Sequence, residues 1–270
     1  MQSSPTVRYP NENKAFSIDK QGLPNGGFTW EGRADSRKEK AGAPFLEHQE
    51  MALLGNMREP KALTALVRTA DYYGDIQKLY EANDIDTDAK LFDKITTLIE
   101  TYQRGVKDHN RFDSRYGMWL QNKGALTPAE LRGMALFKDT NRGNCISCHS
   151  AQKEKQLFTN FGYALLAAPR NNEEPKNADA SYFDLGPCMR ERAASEKKKQ
   201  AANDARYCGM FKTPTLRNID RTAPIFTTLQ WRHWRQQPVF TLNVMPSLAT
   251  ITAAPMAMQT VLTTTCLHNT

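Results

Sequence analysis

Two cysteines with two residues between them, and a histidine directly after the second, constrain this chain more than any other stretch: Cys145-Ile146-Ser147-Cys148-His149. A bare Cys-x-x-Cys suits either thioredoxin-like redox chemistry or half of a zinc site. Here no βαβ pattern surrounds the pair, and a second cysteine pair with zinc spacing is missing. The histidine decides the matter. Each thiol can add across one vinyl group of a porphyrin, and the neighbouring imidazole is then delivered to one axial face of the iron, which is the attachment pattern of a c-type haem. A chain built this way must wrap an apolar core around a macrocycle.

The flanking residues fit such a core. Thr127 is a good helix N-cap, Pro128 suits the first helical position, and Glu130 stands three after the cap to close a capping box. Leu131, Met134, Ala135 and Phe137 then give this helix an apolar face. The turn Asn141-Arg142-Gly143-Asn144 ends it, so the pattern predicts helix, tight turn and haem-binding helix in succession.

At 270 residues, 40% of them hydrophobic, the chain can bury one large core or two modest ones. It has no apolar run long enough to span a membrane. A formal charge of +7 would suit an acidic redox partner. The run Lys197-Lys198-Lys199 lies in a polar stretch without interleaved aromatics, which argues against nucleic acid. Haem attachment of this kind takes place after export, yet Met1 to Pro5 shows neither the basic region nor the apolar segment of a signal peptide. Beyond the haem pair, Cys188 and Cys208 flank a polar insertion. A disulfide closing it and two buried free thiols both remain open readings.

Residues 1–37 are broken by Pro10, Pro24 and several glycines and read as loop. Helical periodicity follows. Leu63, Leu66, Val67 and Ala70 form one apolar face, and Leu91, Ile95, Leu98, Ile99 and Tyr102 another, in a helix starting after Asp86 or Thr87. Alternating strands are scarce, so the predicted class is mainly α. Pro214 keeps the segment Phe211 to Asn218 out of a helix interior.

With these residues assembled, the chain resembles the bacterial di-haem cytochrome c peroxidase family, including its MauG-like branch, over about Ser3 to Pro224. The anchors are Phe28 to Ala34, which resembles the family's Phe-Trp-Asp-Gly-Arg-Ala; Glu50-Met51; Arg111-Phe112-Asp113; the haem motif; and Phe211 to Asn218 followed by Thr222-Ala223-Pro224. The resemblance implies a cytochrome c-like haem domain at 126–224, preceded at 1–125 by the remnant of a second, peroxidatic one. The motif present matches the family's electron-transfer haem. The motif of the first haem belongs upstream of a segment that this sequence begins inside, at Ser3-Ser4-Pro5-Thr6, so the chain reads as an incomplete and inactive fragment.

By the same resemblance, Trp30 matches the tryptophan between the haems and Glu50 the acid of the peroxidatic pocket. Lys40 stands where the family often has Gln, and Ala43-Pro44 replaces Gly-Pro. The family also binds calcium between its domains, through carbonyls matching Thr222 and Pro224 and an Asn whose place is taken by Ser3. It is periplasmic, takes electrons from a small cytochrome or cupredoxin, and reduces hydrogen peroxide with general acid/base help from the pocket Glu. MauG-like members oxidise a protein substrate instead. A different reading is a mono-haem electron carrier ligated by His149 and by Met210 or Met189.

From Arg221 to Thr270 the composition changes: Lys, Asp and Glu vanish and three Arg are the only charges. Where the family continues Tyr-Phe-His-Asn, this chain has Ile225-Phe226-Thr227-Thr228, and the distal-ligand position falls at Thr241, a poor iron ligand. Residues 225–270 therefore read as a frame-shifted tail. One nucleotide inserted after the Pro224 codon should restore Tyr-Phe-His-Asn and, further on, Arg-Asp and Asn-Asp-Leu-Pro. Sequencing the DNA checks this, and an early stop in that frame would make the tail a genuine divergent terminus.

Overall fold

The computed structural model describes residues 5–9, 12–47, 50–51, 59–151, 156–166, 175–189, 205–219 and 221–222. Within them the chain forms two compact units. One comprises the described residues of 6–15 and 34–111, the other residue 5 and the described residues of 16–33 and 112–222. The tail from 225 onward, Pro224, Ser3, Met189's side chain and the Lys197–Lys199 run lie outside the described residues.

The first unit is helical. Helix α1 spans Arg37–Leu46, with Ser36 as N-cap accepting from the Glu39 amide. Helices α2 (Lys61–Arg68), α3 (Tyr73–Leu79) and α4 (Asp88–Gly105) follow, and α4 starts on Thr87, whose hydroxyl takes the Lys90 amide. Leu91 of α4 is completely buried and meets Val67, Ile76 and Ile85, with Leu63, Ile95 and Leu98 packed around them. Thr64 is also fully buried, and its hydroxyl donates to the Asp88 carboxylate at 2.6 Å. Helix α1 lies close on α4 because Gly42 has no side chain: a Cβ there would press on Phe92 and Thr96 at 3.2 Å. The two sequence-read faces are only partly used. Leu66 stays 56% exposed, Tyr102 69% exposed, and Ala70 falls beyond the end of α2.

The second unit is held by turns and two short antiparallel strand pairs. Strands β1 (Ser17–Ile18) and β2 (Pro24–Asn25) pair with Ser17 opposite Asn25, around a turn in which the Asp19 carboxylate caps the Gln21 and Leu23 amides. Helices α5 (Arg115–Leu120) and α6 (Pro128–Lys138) lead to the Cys145–Ser147 turn. Strand β3 (Tyr163–Ala164) then pairs with β4 (Phe211–Lys212). Phe16 and Tyr207 form a small core with Ile18, Tyr163 and Met210. A second core contains Leu185, Cys188 and Cys208, and the two cysteines form a disulfide, which resolves the alternative left open by sequence. Closing a loop of 20 residues stabilises the fold by about 3 kcal/mol in the chain-entropy account.

The fully buried Leu91 gives the sharpest stability test. Leu91→Ala should cost about 2–5 kcal/mol in urea denaturation, whereas Tyr102→Ala on the exposed side of the same helix should leave the midpoint nearly unchanged.

Candidate haem site

Helix α6 begins as its sequence dictates. The Thr127 hydroxyl accepts from the Glu130 amide at 3.2 Å, and the Glu130 carboxylate returns to the Thr127 amide at 2.8 Å. That reciprocal capping, with the hydroxyl contact, holds the Glu130 carboxyl below the ordinary carboxylate value. Yet α6 buries none of its residues. Its apolar side chains Met134 and Phe137 instead line a cavity of about 280 Å³, together with Tyr116, Leu126, Ala151 and Phe158. An 11-residue helix capped at its start thus turns its apolar side chains toward the cavity, and burial of such a face is what usually stabilises a helix.

The motif adjoins this cavity through Ala151 and Phe158. Cys145 to Ser147 form a 3₁₀ turn, where the sequence pattern implied a helix. The reason is the company its carbonyls keep: Cys148 accepts from the Asn160 amide at 2.9 Å and Ser147 from the Asn160 side chain at 3.1 Å, so neither continues a helical ladder. Cys145 and Cys148 are free thiols, both partly exposed. Burial pushes the Cys145 thiol above its ordinary pKa, a shift to which nearby Cys148 adds.

His149 is oriented by the backbone. Its Nδ1 lies 2.9 Å from the Phe158 carbonyl, and because a carbonyl can only accept, Nδ1 carries the proton. In the neutral ring the lone pair is then on Nε2. Burial lowers the imidazole pKa from its usual value, while hydrogen bonds to the Phe158 and Pro214 carbonyls act in the opposite direction. Phe158 itself has φ 55°, a left-handed backbone that costs a bulky residue on the order of 1–3 kcal/mol and persists only where its surroundings fix it. That backbone turns the carbonyl to His149 while the ring lines the cavity.

This set fits a covalent haem by its chemistry: two free thiols and an imidazole oriented by the backbone, beside a cavity lined mainly by apolar side chains. Met210 does not line that cavity; it packs with Phe16 and Tyr207. The structure also places the other sequence-read residues. Trp30 is half-buried in the unit that holds the motif, and its carbonyl accepts from the Lys212 amide on β4 at 2.9 Å. Next to it Glu31 is almost fully buried, 3.7 Å from Arg33. Gly32 has φ 68°, and a Cβ there would collide with the Tyr163 hydroxyl and the Phe16 ring. Glu50 is exposed on a turn in the other unit, anchored by the Glu50 amide on the Glu47 carbonyl and the Met51 amide on the Pro44 carbonyl. In that unit Lys40 donates to the Thr6 carbonyl at 3.3 Å, and burial, then Arg37, bring its pKa down to about 8. Thr222 is exposed, with its hydroxyl 3.3 Å from the Asn218 carbonyl.

Comparison with known proteins agrees with this arrangement. A sequence profile described as di-haem cytochrome c peroxidase matches residues 2–125. The methylamine utilization protein MauG of Paracoccus denitrificans (strain Pd 1222) is 30% identical over 240 residues, covering 84% of this chain and 58% of that protein. Cytochrome c551 peroxidase of Nitrosomonas europaea is 27% identical over 201 residues, 73% of this chain and 48% of the relative. The crystal structure of the diheme peroxidase BthA from Burkholderia thailandensis E264 superposes with a TM-score of 0.79 at 25% identity, over 88% of this chain and 57% of that one. The fold is that of the diheme peroxidases. The chain belongs to the di-haem cytochrome c peroxidase family and is MauG-like. It spans about half the length of the curated relatives it matches.

The histidine makes a pH prediction. Its pKa is lower folded than unfolded, so below about 6.5 the unfolded chain takes up a proton that the folded chain refuses. Its contribution to stability should therefore be complete above that pH and be lost as pH falls through it. Urea denaturation of the haem-free chain at pH 7.5, 6.5 and 5.5 (about one unit to either side of the ordinary imidazole value) should show this slope, and His149→Gln should flatten it.

Proposed function

We propose that this chain is a c-type haem protein of the peroxidase reaction, with Cys145 and Cys148 as attachment residues and His149 as the proximal ligand. The observation that carries the reading is the apolar cavity under α6 together with a His149 whose Nδ1 is pinned to Phe158. A haem held there supplies one-electron redox chemistry. The polypeptide's part is to hold the macrocycle at two thiols, orient the imidazole, and exclude water with Tyr116, Met134, Phe137 and Phe158.

The reaction is the reduction of hydrogen peroxide to two waters, with electrons from a small donor protein, a cytochrome or cupredoxin, in the periplasm. This haem is the electron-transfer one. With a second, peroxidatic haem bound, Trp30 would stand on the electron path between the haems and Glu50 would serve as its general acid and base. Residues 1–125 belong to that haem's domain, 126–224 form the domain of the haem in this chain, and 225–270 are a frame-shifted tail. Thr222 and Pro224 supply carbonyls to a calcium ion. Similarity to the methylamine utilization protein MauG favours a second reading, oxidation of a protein substrate by the same pair of haems.

Exported into a compartment with haem-attachment machinery, the chain should carry haem that survives denaturing electrophoresis, and Cys145→Ala should stain less strongly. Equal staining of the two defeats the attachment assignment. Steady-state assays with a reduced cytochrome should give peroxide turnover far below that of an intact di-haem relative. Comparable turnover by this chain alone removes Trp30 and Glu50 from their assigned roles, and reversible redox cycling without any turnover fits the single-haem carrier.

A further inference from the structure

Two of the sequence anchors, Arg111-Phe112-Asp113 and Phe211 to Asn218, carry no chemistry in the proposed reaction. They meet at Arg217. The residue is 9% exposed, and its guanidinium stacks over the Phe112 ring, 4.6 Å from the centroid. Nε donates to the Gln156 backbone carbonyl at 2.8 Å, Nη2 to the Gln156 side-chain oxygen at 3.4 Å, and Nη1 to the Ser114 hydroxyl at 3.2 Å. One residue further along the same stretch, the Leu157 carbonyl accepts from the Thr215 hydroxyl at 2.6 Å. The next carbonyl is that of Phe158, and it faces His149 Nδ1. Beyond it the Thr159 hydroxyl donates to the Thr213 carbonyl at 2.6 Å, and the Thr213 amide to the Gly162 carbonyl at 2.8 Å.

The peptide plane before Phe158 is therefore held by Thr215 and the one before that by Arg217, while Thr159 on the other side is tied through its hydroxyl to Thr213. Phe158 occupies a left-handed backbone that it would leave if those planes were released, and its carbonyl would turn from the imidazole with it. We propose that Arg217, assisted by Thr215, is a positioning residue for His149: it holds the Phe158 carbonyl against Nδ1 and thereby sets how strongly Nε2 donates to a metal. The proposal rests on His149 as the axial ligand. The Nδ1–H to carbonyl bond fixes the tautomer and makes the opposite nitrogen a better donor. A better donor favours the oxidised iron, so loosening the clamp raises the reduction potential.

Two substitutions test this in the haem-loaded chain. Arg217→Lys keeps the charge and loses the planar fork that reaches both oxygens of Gln156, and Thr215→Val removes one hydroxyl at nearly constant shape. Both should shift the reduction potential upward and the iron–histidine stretching frequency of the reduced protein downward, with haem content unchanged. In the haem-free chain, the Nδ1–H proton resonance of His149 should move to lower frequency in both, as expected of a weaker hydrogen bond. If Arg217→Lys does not fold, Thr215→Val decides alone. Variants that fold with wild-type potential, stretching frequency and Nδ1–H resonance overturn the proposal and leave Arg217 a packing residue. A wild-type chain without covalent haem sinks the proposed function instead, while the resonance in the haem-free chain still decides on the clamp.

Discussion

The carbonyls of residues 156–162 organise the haem-motif unit. This stretch has almost no regular structure, so each buried carbonyl needs a donor from elsewhere. Every carbonyl of the stretch has one. Arg217 takes 156, Thr215 takes 157 and His149 takes 158, while the Ser150 hydroxyl takes 159. The Asn25 side chain, the Gly26 amide and the Thr213 amide take 160, 161 and 162. The first hairpin, the haem motif and the segment after β4 are thus tied to a single irregular strand of chain. Each bond contributes only about 1 kcal/mol net, and leaving a buried carbonyl unmatched costs more than that. The imidazole is one donor in this series, which is why its orientation is a property of the whole unit.

That dependence explains how much was legible in advance. The capping box at Thr127 and Glu130 and the Thr87 cap were readable, because a cap is a local bond between residues three apart. The attachment motif was readable because its chemistry fixes its spacing. Arg217 was not: its partners at 114 and 156 are separated from it by 103 and 61 positions, and nothing periodic marks such bonds. The segment Phe211 to Asn218 was noticed as a family anchor, but its physical purpose emerged only from the hydrogen bonds. The helical reading of the motif failed for the same reason, since Asn160, a dozen residues on, takes the carbonyls that a helix would have used.

Apolar periodicity was also an incomplete guide. It located α2, α4 and α6, yet Leu66 and Tyr102 remain exposed and no residue of α6 is fully buried. For α6 the explanation is the cavity, which its apolar side chains line without filling. A hydrophobic face in a sequence marks surface that avoids water and does not say whether protein or a prosthetic group will cover it.

The disulfide between Cys188 and Cys208 bears on how such a protein matures. Among the described residues, any other pairing of sulfurs uses at least one of Cys145 and Cys148, the two thiols a porphyrin needs. An oxidising compartment therefore sets two cysteine chemistries in competition within one polypeptide. Bonding Cys188 to Cys208 withdraws the competing partners and leaves the motif as the only described pair of reduced sulfurs, so correct oxidation at one end of the unit protects correct alkylation at the other.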